Sequence, residues 1–185
     1  MPDKLITLVV GHTSNASGAQ AIAPLNMSEY EYNTDLATMI ADKIIKDFNV
    51  YVAFRDKMGI DRVYAELEKM NPDVNIELHF NSSQDSKAFG TETLCSYNSK
   101  GFAHVVQTKM CEHLSRDDRG NRGVKIMQSG DRGYASVSRL RCPNVLIEPF
   151  FGSNHQDSKL GLNNKFKIVD AIHEALLTWF KKEIV

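Results

Sequence analysis

The sequence predicts an α/β domain in three layers, with a largely parallel, mixed sheet of about six strands flanked by helices. Short runs of Val, Ile and Leu, which are typical of buried strands, alternate along the chain with longer segments of helical periodicity. Such alternation favours a mainly parallel sheet with helices on both faces. No repeat, low-complexity stretch or Pro/Gly/Ser linker interrupts the 185 residues, so we expect one domain over residues 1–185.

The strands are expected where short apolar runs end at turn residues. They fall near residues 4–10, 49–54, 74–80, 89–96 and 144–150, and the pattern also allows a shorter strand around 123–127. Helices are expected where apolar residues recur every three to four positions, at 28–47, 58–70, 98–115 and 164–182. Residues 116–136 are rich in Gly, Arg, Asp and Ser. This segment predicts a long surface loop, which in a compact domain is often functional.

The composition excludes several classes of partner. A net charge of -1 provides no overall attraction to nucleic acid or to an anionic membrane, so we expect no nucleic-acid binding and no membrane insertion. Residues 116–141 hold seven Arg or Lys against three Asp, which is typical of a solvated loop but would also suit a negatively charged substrate.

The three cysteines lack CxxC spacing and are expected to be reduced packing residues. The apolar run at 5–10 is too short for a signal peptide or a membrane span, so we expect no export signal.

Three apolar runs each end in a side chain that can bind or serve a metal. They end at His12, His79 and Glu148. Ligands of open α/β sheets collect beyond the carboxyl ends of the strands, so these three side chains are expected to meet at one place. With Glu29 from the first helix, two His and one Glu form a typical catalytic zinc set. Glu148 is then left to act as the general base that handles protons.

The two acids at the start of the first helix are separated by helical geometry. Ser28 followed by Glu31 matches a capping box, which gives Glu31 a local role at the helix start. Glu29 lies about 200° round the helix from Glu31, on the face that also carries apolar residues. Glu29 is therefore the metal-ligand candidate, and Asn33 one turn later is a candidate to hydrogen-bond it from behind.

Single residues of this set have plainer explanations. A lone His12 would more often be a hydrogen-bonded loop residue, and a lone strand-end Glu more often a salt-bridge partner or helix cap. The four together favour a metal site, even though the H-E-x-x-H motif, the G-x-S-x-G motif and the P-loop are all absent. Glu77, on the polar face of a hydrophobic strand, needs a partner. It is expected either to contact an arginine such as Arg55 in a structural role, which we favour, or to support the metal site.

An ordered set of short motifs carries a family resemblance over nearly the whole chain. The motifs are Gly11-His12, Glu29 with Asn33, His79-Phe80-Asn81-Ser82, Gly90-Thr91-Glu92-Thr93, Arg122-Gly123-Val124-Lys125 and the stretch 145–154. In this order they resemble the Amidase_3 type of zinc-dependent N-acetylmuramoyl-L-alanine amidases, especially the catalytic domains of phage endolysins. The chain departs from the family pattern in having Val9-Val10 before Gly11-His12, Ser82-Ser83 after Asn81, and Pro149 after Glu148.

The resemblance implies a hydrolase that cuts the amide bond between N-acetylmuramic acid and L-alanine in bacterial peptidoglycan. It implies Zn²⁺ as cofactor, with the following roles: His12, Glu29 and His79 as ligands, Glu148 as catalytic base, Asn33 behind the ligands, and Asn81 and Arg122 as substrate-binding residues. We further expect a monomer without a wall-binding domain. As an endolysin, it would stay in the host cytoplasm until a separate pore protein releases it to the wall, although a fragment of a larger autolysin would have a similar sequence. Two alternatives stay open: a zinc metallopeptidase of the stem peptide, and a peptidoglycan-binding module without catalysis.

Overall fold

The computed structural model describes residues 3–117 and 120–182, which form an α/β fold around a six-stranded sheet. The strands are β1 (Leu5–Val10), β2 (Asn49–Phe54), β3 (Val74–Leu78), β4 (Thr91–Cys95), β5 (Asn121–Ile126) and β6 (Asn144–Glu148). The helices are α1 (Glu29–Ile44), α2 (Gly59–Met70), α3 (Lys100–His113), α4 (Tyr134–Val137), α5 (His155–Asn163) and α6 (Lys165–Lys182). The predicted fold class is confirmed.

Strand order and direction decide which residues meet at the edge of the sheet. The order is β2-β1-β3-β6-β4-β5. Strands β2, β1, β3 and β6 are parallel, whereas β4 is antiparallel to β6 and parallel to β5. The carboxyl ends of β1, β3 and β6 therefore lie at the same edge as the amino-terminal ends of β4 and β5.

Helices cover both faces of the sheet. The larger core packs α1, α3 and α6 against one face, through fully buried side chains such as Leu8, Leu36 and Ile172. Two smaller clusters lie on the other face, where α2 covers Val9 and α4 covers Leu146. Burial of this much apolar surface is the main stabilising contribution to a domain of this size. Of the described helices, none combines the length and the apolar character needed to cross a bilayer.

Two parts of the chain differ from the sequence prediction. The predicted loop at 116–136 contains β5, which the shorter 123–127 strand partly anticipated, and the four-residue helix α4. Strand β5 lies at the edge of the sheet with no fully buried residue, so its sequence shows no strong alternation of apolar and polar residues. Helix α5 was not predicted, because its buried positions are Asp157, Ser158 and Gly161 and provide no apolar stripe.

Candidate metal centre

The first candidate ligand lies in the turn after β1. His12 has a left-handed backbone conformation, with φ of 66°, which is uncommon outside glycine and is often kept at functional sites. Two glycines make room around the imidazoles. A Cβ at Gly11 would lie 2.4 Å from Cε1 of His79, and one at Gly18 would lie 2.6 Å from Cδ2 of His12. Side chains at these positions would therefore displace the imidazoles.

The start of α1 places the second candidate ligand. Ser28 and Glu31 form the predicted capping box, in which the Ser28 side chain accepts from the Glu31 backbone N–H and the Glu31 carboxylate accepts from Ser28 N. The Glu31 carboxylate is thereby engaged in capping the helix at the protein surface. Glu29 is only 3% exposed, and its Oε2 accepts a 3.1 Å hydrogen bond from Ala19 N. The separation of the two acids by helix face is confirmed.

His12, Glu29 and His79 converge on one point. Their candidate ligand atoms all lie within 4.8 Å of one another. Nδ1 of His79 is 2.6 Å from Oε1 of Glu29, and Nε2 of His12 is 3.1 Å from Oε2 of Glu29. The two imidazole rings pack edge to face, with centroids 4.9 Å apart.

The electrostatics and the donor set of this cluster fit a divalent cation. Burial raises the pKa of Glu29, but its contacts with His12 and His79 outweigh burial and lower the pKa to about 2. Burial lowers the pKa of His79, but Glu29 and Glu77 outweigh it and raise the pKa to about 10. Nε2 of His12 is buried and lies 3.1 Å from Glu29 Oε2, but the contact lacks hydrogen-bond geometry, which is costly for a polar atom. Two imidazoles and one ionised carboxylate are a donor set that zinc uses in catalytic sites.

Glu148 lies on the wall of the same cavity. This cavity, of about 440 Å³, is lined by the three candidate ligands, by Glu148 and by Glu92, among others. Glu148 is the last residue of β6 and is paired with Glu92 across the antiparallel β4. Its Oε2 is buried without a hydrogen bond. Burial, with the charges of Glu92 and Glu29, raises the pKa of Glu148 to about 7 against the opposing effect of His79.

Asn81 and Arg122 are brought together by a carboxylate that had no role assigned in the sequence analysis. Glu92 accepts from Asn81 Nδ2 at 2.6 Å and from Arg122 Nε at 2.7 Å. The Arg122 guanidinium also lies over the ring of Phe151, 4.9 Å from its centroid. Asn81 and Glu92 line the cavity, whereas Arg122 adjoins it through Glu92. The Gly90-Thr91-Glu92-Thr93 motif was the only sequence signal that pointed to Glu92.

Asn33 and Glu77 are the two residues that the sequence suggested as supports for the candidate metal ligands. Asn33 donates to the backbone carbonyl of Glu29 at 2.9 Å, and its Oδ1 has no hydrogen bond. A hydrogen bond from Asn33 to Glu29 is thus present, and it is made to the backbone carbonyl rather than to the carboxylate. Glu77 contacts both an arginine and a candidate ligand, since its Oε1 lies 3.0 Å from Arg55 Nη1 and 2.8 Å from His79 Nε2.

The fold and the site together indicate a metal-dependent α/β enzyme, because a His, Glu, His cluster lies at one edge of the sheet. The Amidase_3 family model, described as N-acetylmuramoyl-L-alanine amidase, matches residues 6–178. Because this match covers nearly the whole chain, the protein belongs to that family.

Individual relatives agree with the family match. The chain is 28% identical over 184 residues to N-acetylmuramoyl-L-alanine amidase LytC of Bacillus subtilis (strain 168), covering 92% of this chain and 34% of LytC. It thus spans about a third of the length of that curated relative.

Solved structures show the same fold. The catalytic domain of the amidase CwlV from Bacillus (Paenibacillus) polymyxa var. colistinus superposes with a TM-score of 0.82 at 20% identity, covering 96% of this chain and 98% of CwlV. The catalytic domain of the CD27L endolysin targeting Clostridia Difficile superposes with a TM-score of 0.76 at 24% identity, covering 95% and 97%.

Proposed function

We propose that this protein is a zinc-dependent hydrolase that cleaves the amide bond between N-acetylmuramic acid and L-alanine in bacterial peptidoglycan. One observation carries the proposal: the His12, Glu29 and His79 cluster lies on the wall of the same cavity as Glu148, a carboxyl group whose Oε2 makes no hydrogen bond. Membership of the amidase family supports the choice of bond.

His12, Glu29 and His79 would hold the zinc ion. When bound, zinc would polarise the scissile carbonyl and lower the pKa of water in the site. In the metal-free protein Glu29 is ionised, and Gly11 and Gly18 leave space for the imidazoles. His79, whose pKa is raised to about 10, would release a proton on binding the metal.

Glu148 would move the protons of the reaction. Burial raises the pKa of Glu148 to about 7 in the metal-free protein, whereas a bound cation would favour the ionised carboxylate, which is the form that acts as a general base. Its unpaired Oε2 is available to accept a proton from the attacking water. The resulting carboxylic acid can then donate that proton to the leaving L-alanine nitrogen, so the group returns to its ionised state.

Asn81 and Arg122 would bind the substrate. Glu92 fixes both side chains through short hydrogen bonds, so their remaining polar atoms have a defined orientation. Lys125 and Arg132 also line the cavity, and their positive charges suit the carboxylates of a peptidoglycan stem peptide.

Digestion of purified sacculi tests the proposed bond. Mass spectrometry should show intact stem peptides that begin with a free L-alanine amine, together with about one zinc per chain in the purified protein. Cleavage inside the stem peptide would instead identify a metallopeptidase. Binding to sacculi without any cleavage would identify a non-catalytic wall-binding module.

We also propose that the protein acts as a phage endolysin, which a separate pore protein releases from the host cytoplasm to the wall. The likeness to the CD27L endolysin catalytic domain supports this proposal. Expression in a susceptible host should cause lysis only when a pore protein is co-expressed. Lysis without the pore protein would contradict it. The monomeric state stays a prediction.

A further inference from the structure

A second buried carboxylate lies directly behind the metal cluster. Glu77 precedes His79 by two residues in and after β3, so both side chains lie on the same face of the sheet. Glu77 is fully buried. A buried carboxylate is costly unless several donors surround it, and the arrangement of those donors shows what Glu77 does.

Three donors from separate parts of the chain surround the Glu77 carboxylate. Tyr64, from α2, donates its hydroxyl hydrogen to Oε2, and Arg55, which follows β2, donates to Oε1 at 3.0 Å. The third contact is the 2.8 Å distance between Oε1 and Nε2 of His79. Arg55 and Tyr64 alone would account for a structural carboxylate, so the contact with His79 is the feature that needs a further explanation.

The two nitrogens of His79 face two different carboxylates. Nδ1 lies 2.6 Å from Glu29 Oε1, on the side of the metal cluster, whereas Nε2 faces Glu77. Gly11 leaves room for the same edge of the ring on the side of β1, because a Cβ there would lie 2.4 Å from Nε2. A histidine that binds a metal through Nδ1 must carry its hydrogen on Nε2, and a carboxylate that accepts this hydrogen fixes the ring and its tautomer.

We infer that Glu77 is a positioning residue, which holds His79 with Nδ1 towards the metal and Nε2–H towards itself. Arg55 and Tyr64 hold the Glu77 carboxylate in place in turn. This inference rests on the proposed function, since it concerns the same metal centre. Loss of such a supporting contact typically weakens metal binding by about 10- to 100-fold.

The variant Glu77→Gln tests the inference by zinc affinity. Competition with a chromophoric chelator should show zinc binding about 10- to 100-fold weaker than in the wild type, with kcat reduced once zinc is saturating. The matched control is Asp157→Asn, which alters another buried carboxylate that accepts from an arginine and two backbone N–H groups. The control should lose stability but keep wild-type zinc affinity. Wild-type zinc affinity in Glu77→Gln would overturn the inference.

A measurement on the zinc-loaded wild-type protein decides the question even if the variant does not fold. Long-range ¹H–¹⁵N spectra of ¹⁵N-histidine-labelled protein should show His79 with its hydrogen on Nε2 and the metal on Nδ1. A hydrogen on Nδ1 would overturn the inference. The proposed function fails on a separate result, namely that the wild type binds no zinc. If the wild type binds zinc and cleaves sacculi but Glu77→Gln has the same zinc affinity, only the role of Glu77 is wrong.

Discussion

Replacement of Glu148 by Gln should abolish activity and at the same time stabilise the metal-free protein at alkaline pH. The substitution keeps the size of the side chain but removes its charge and its basicity. Turnover should fall by about 100-fold or more, which is the usual effect of losing a general base or acid. The gain in stability follows from the environment of the carboxyl group, whose Oε2 is buried without a hydrogen bond.

The size of this gain can be worked out from the pKa. The folded protein raises the pKa of Glu148 from 4.5 to about 7, so folding favours the protonated carboxyl group. The folded state is therefore destabilised relative to the unfolded state as the pH rises from 4.5 to 7, with the full penalty above pH 7 and none well below pH 4.5. At about 1.4 kcal/mol for each pKa unit, the penalty is about 3 kcal/mol at pH 8 and about 1 kcal/mol at pH 5. Glu148→Gln should thus gain about 2 kcal/mol more at pH 8 than at pH 5.

Urea denaturation of chelator-treated protein at the two pH values measures this difference. The metal must be removed, because a nearby cation favours the ionised carboxylate and would hide the penalty. Glu31→Gln is a matched control with the opposite sign, since the capping bonds of Ser28 lower the pKa of Glu31. The control should show no gain at pH 8. A Glu148→Gln gain that does not depend on pH, or a loss at pH 8, would refute the reasoning.

Three further predictions concern the metal cluster. Glu29→Ala should lose zinc and activity, whereas Glu31→Ala should stay active and lose only about 0.5–2 kcal/mol of stability. Zinc analysis and dye release from stained walls measure these effects, and the reverse pattern would contradict the prediction. Gly18→Ala should lower zinc stoichiometry, because its Cβ would lie 2.6 Å from Cδ2 of His12 in a backbone with φ of 77°; full occupancy would contradict this. Chelation should stop lysis while the circular dichroism spectrum is retained, since the core does not depend on metal; cooperative unfolding would indicate a structural ion.

The sequence was sufficient to predict the part of the site that lies on regular, buried elements. Strands β1, β3 and β6 are apolar runs with clear ends, and parallel strands bring those ends to one edge. The capping box fixed the helical register of α1, and with it the choice of Glu29 over Glu31. In both cases local patterns determine the placement of the side chain.

Contacts that depend on strand direction could not be predicted in the same way. Strand β4 runs against β6, which places Glu92 opposite Glu148, and no local pattern encodes that reversal. The exposed edge strand β5 carries Arg122 to the same carboxylate, although the sequence predicted a loop at 116–136 with at most a short strand around 123–127. The pairing of Asn81 and Arg122 through Glu92 is therefore visible only in the folded chain.

Glu77 shows where sequence reasoning and structure meet. A charged residue in the buried strand β3 indicates that a partner must exist, because an unpaired buried charge costs more than a domain can usually tolerate. The sequence could not decide between an arginine and the metal site, since the partners lie at positions 55, 64 and 79 on different elements. The folded protein uses both, because one carboxylate oxygen can accept two hydrogen bonds. The orientation of His79, and with it the geometry of the metal cluster, thus depends on contacts made by the surrounding elements of the fold.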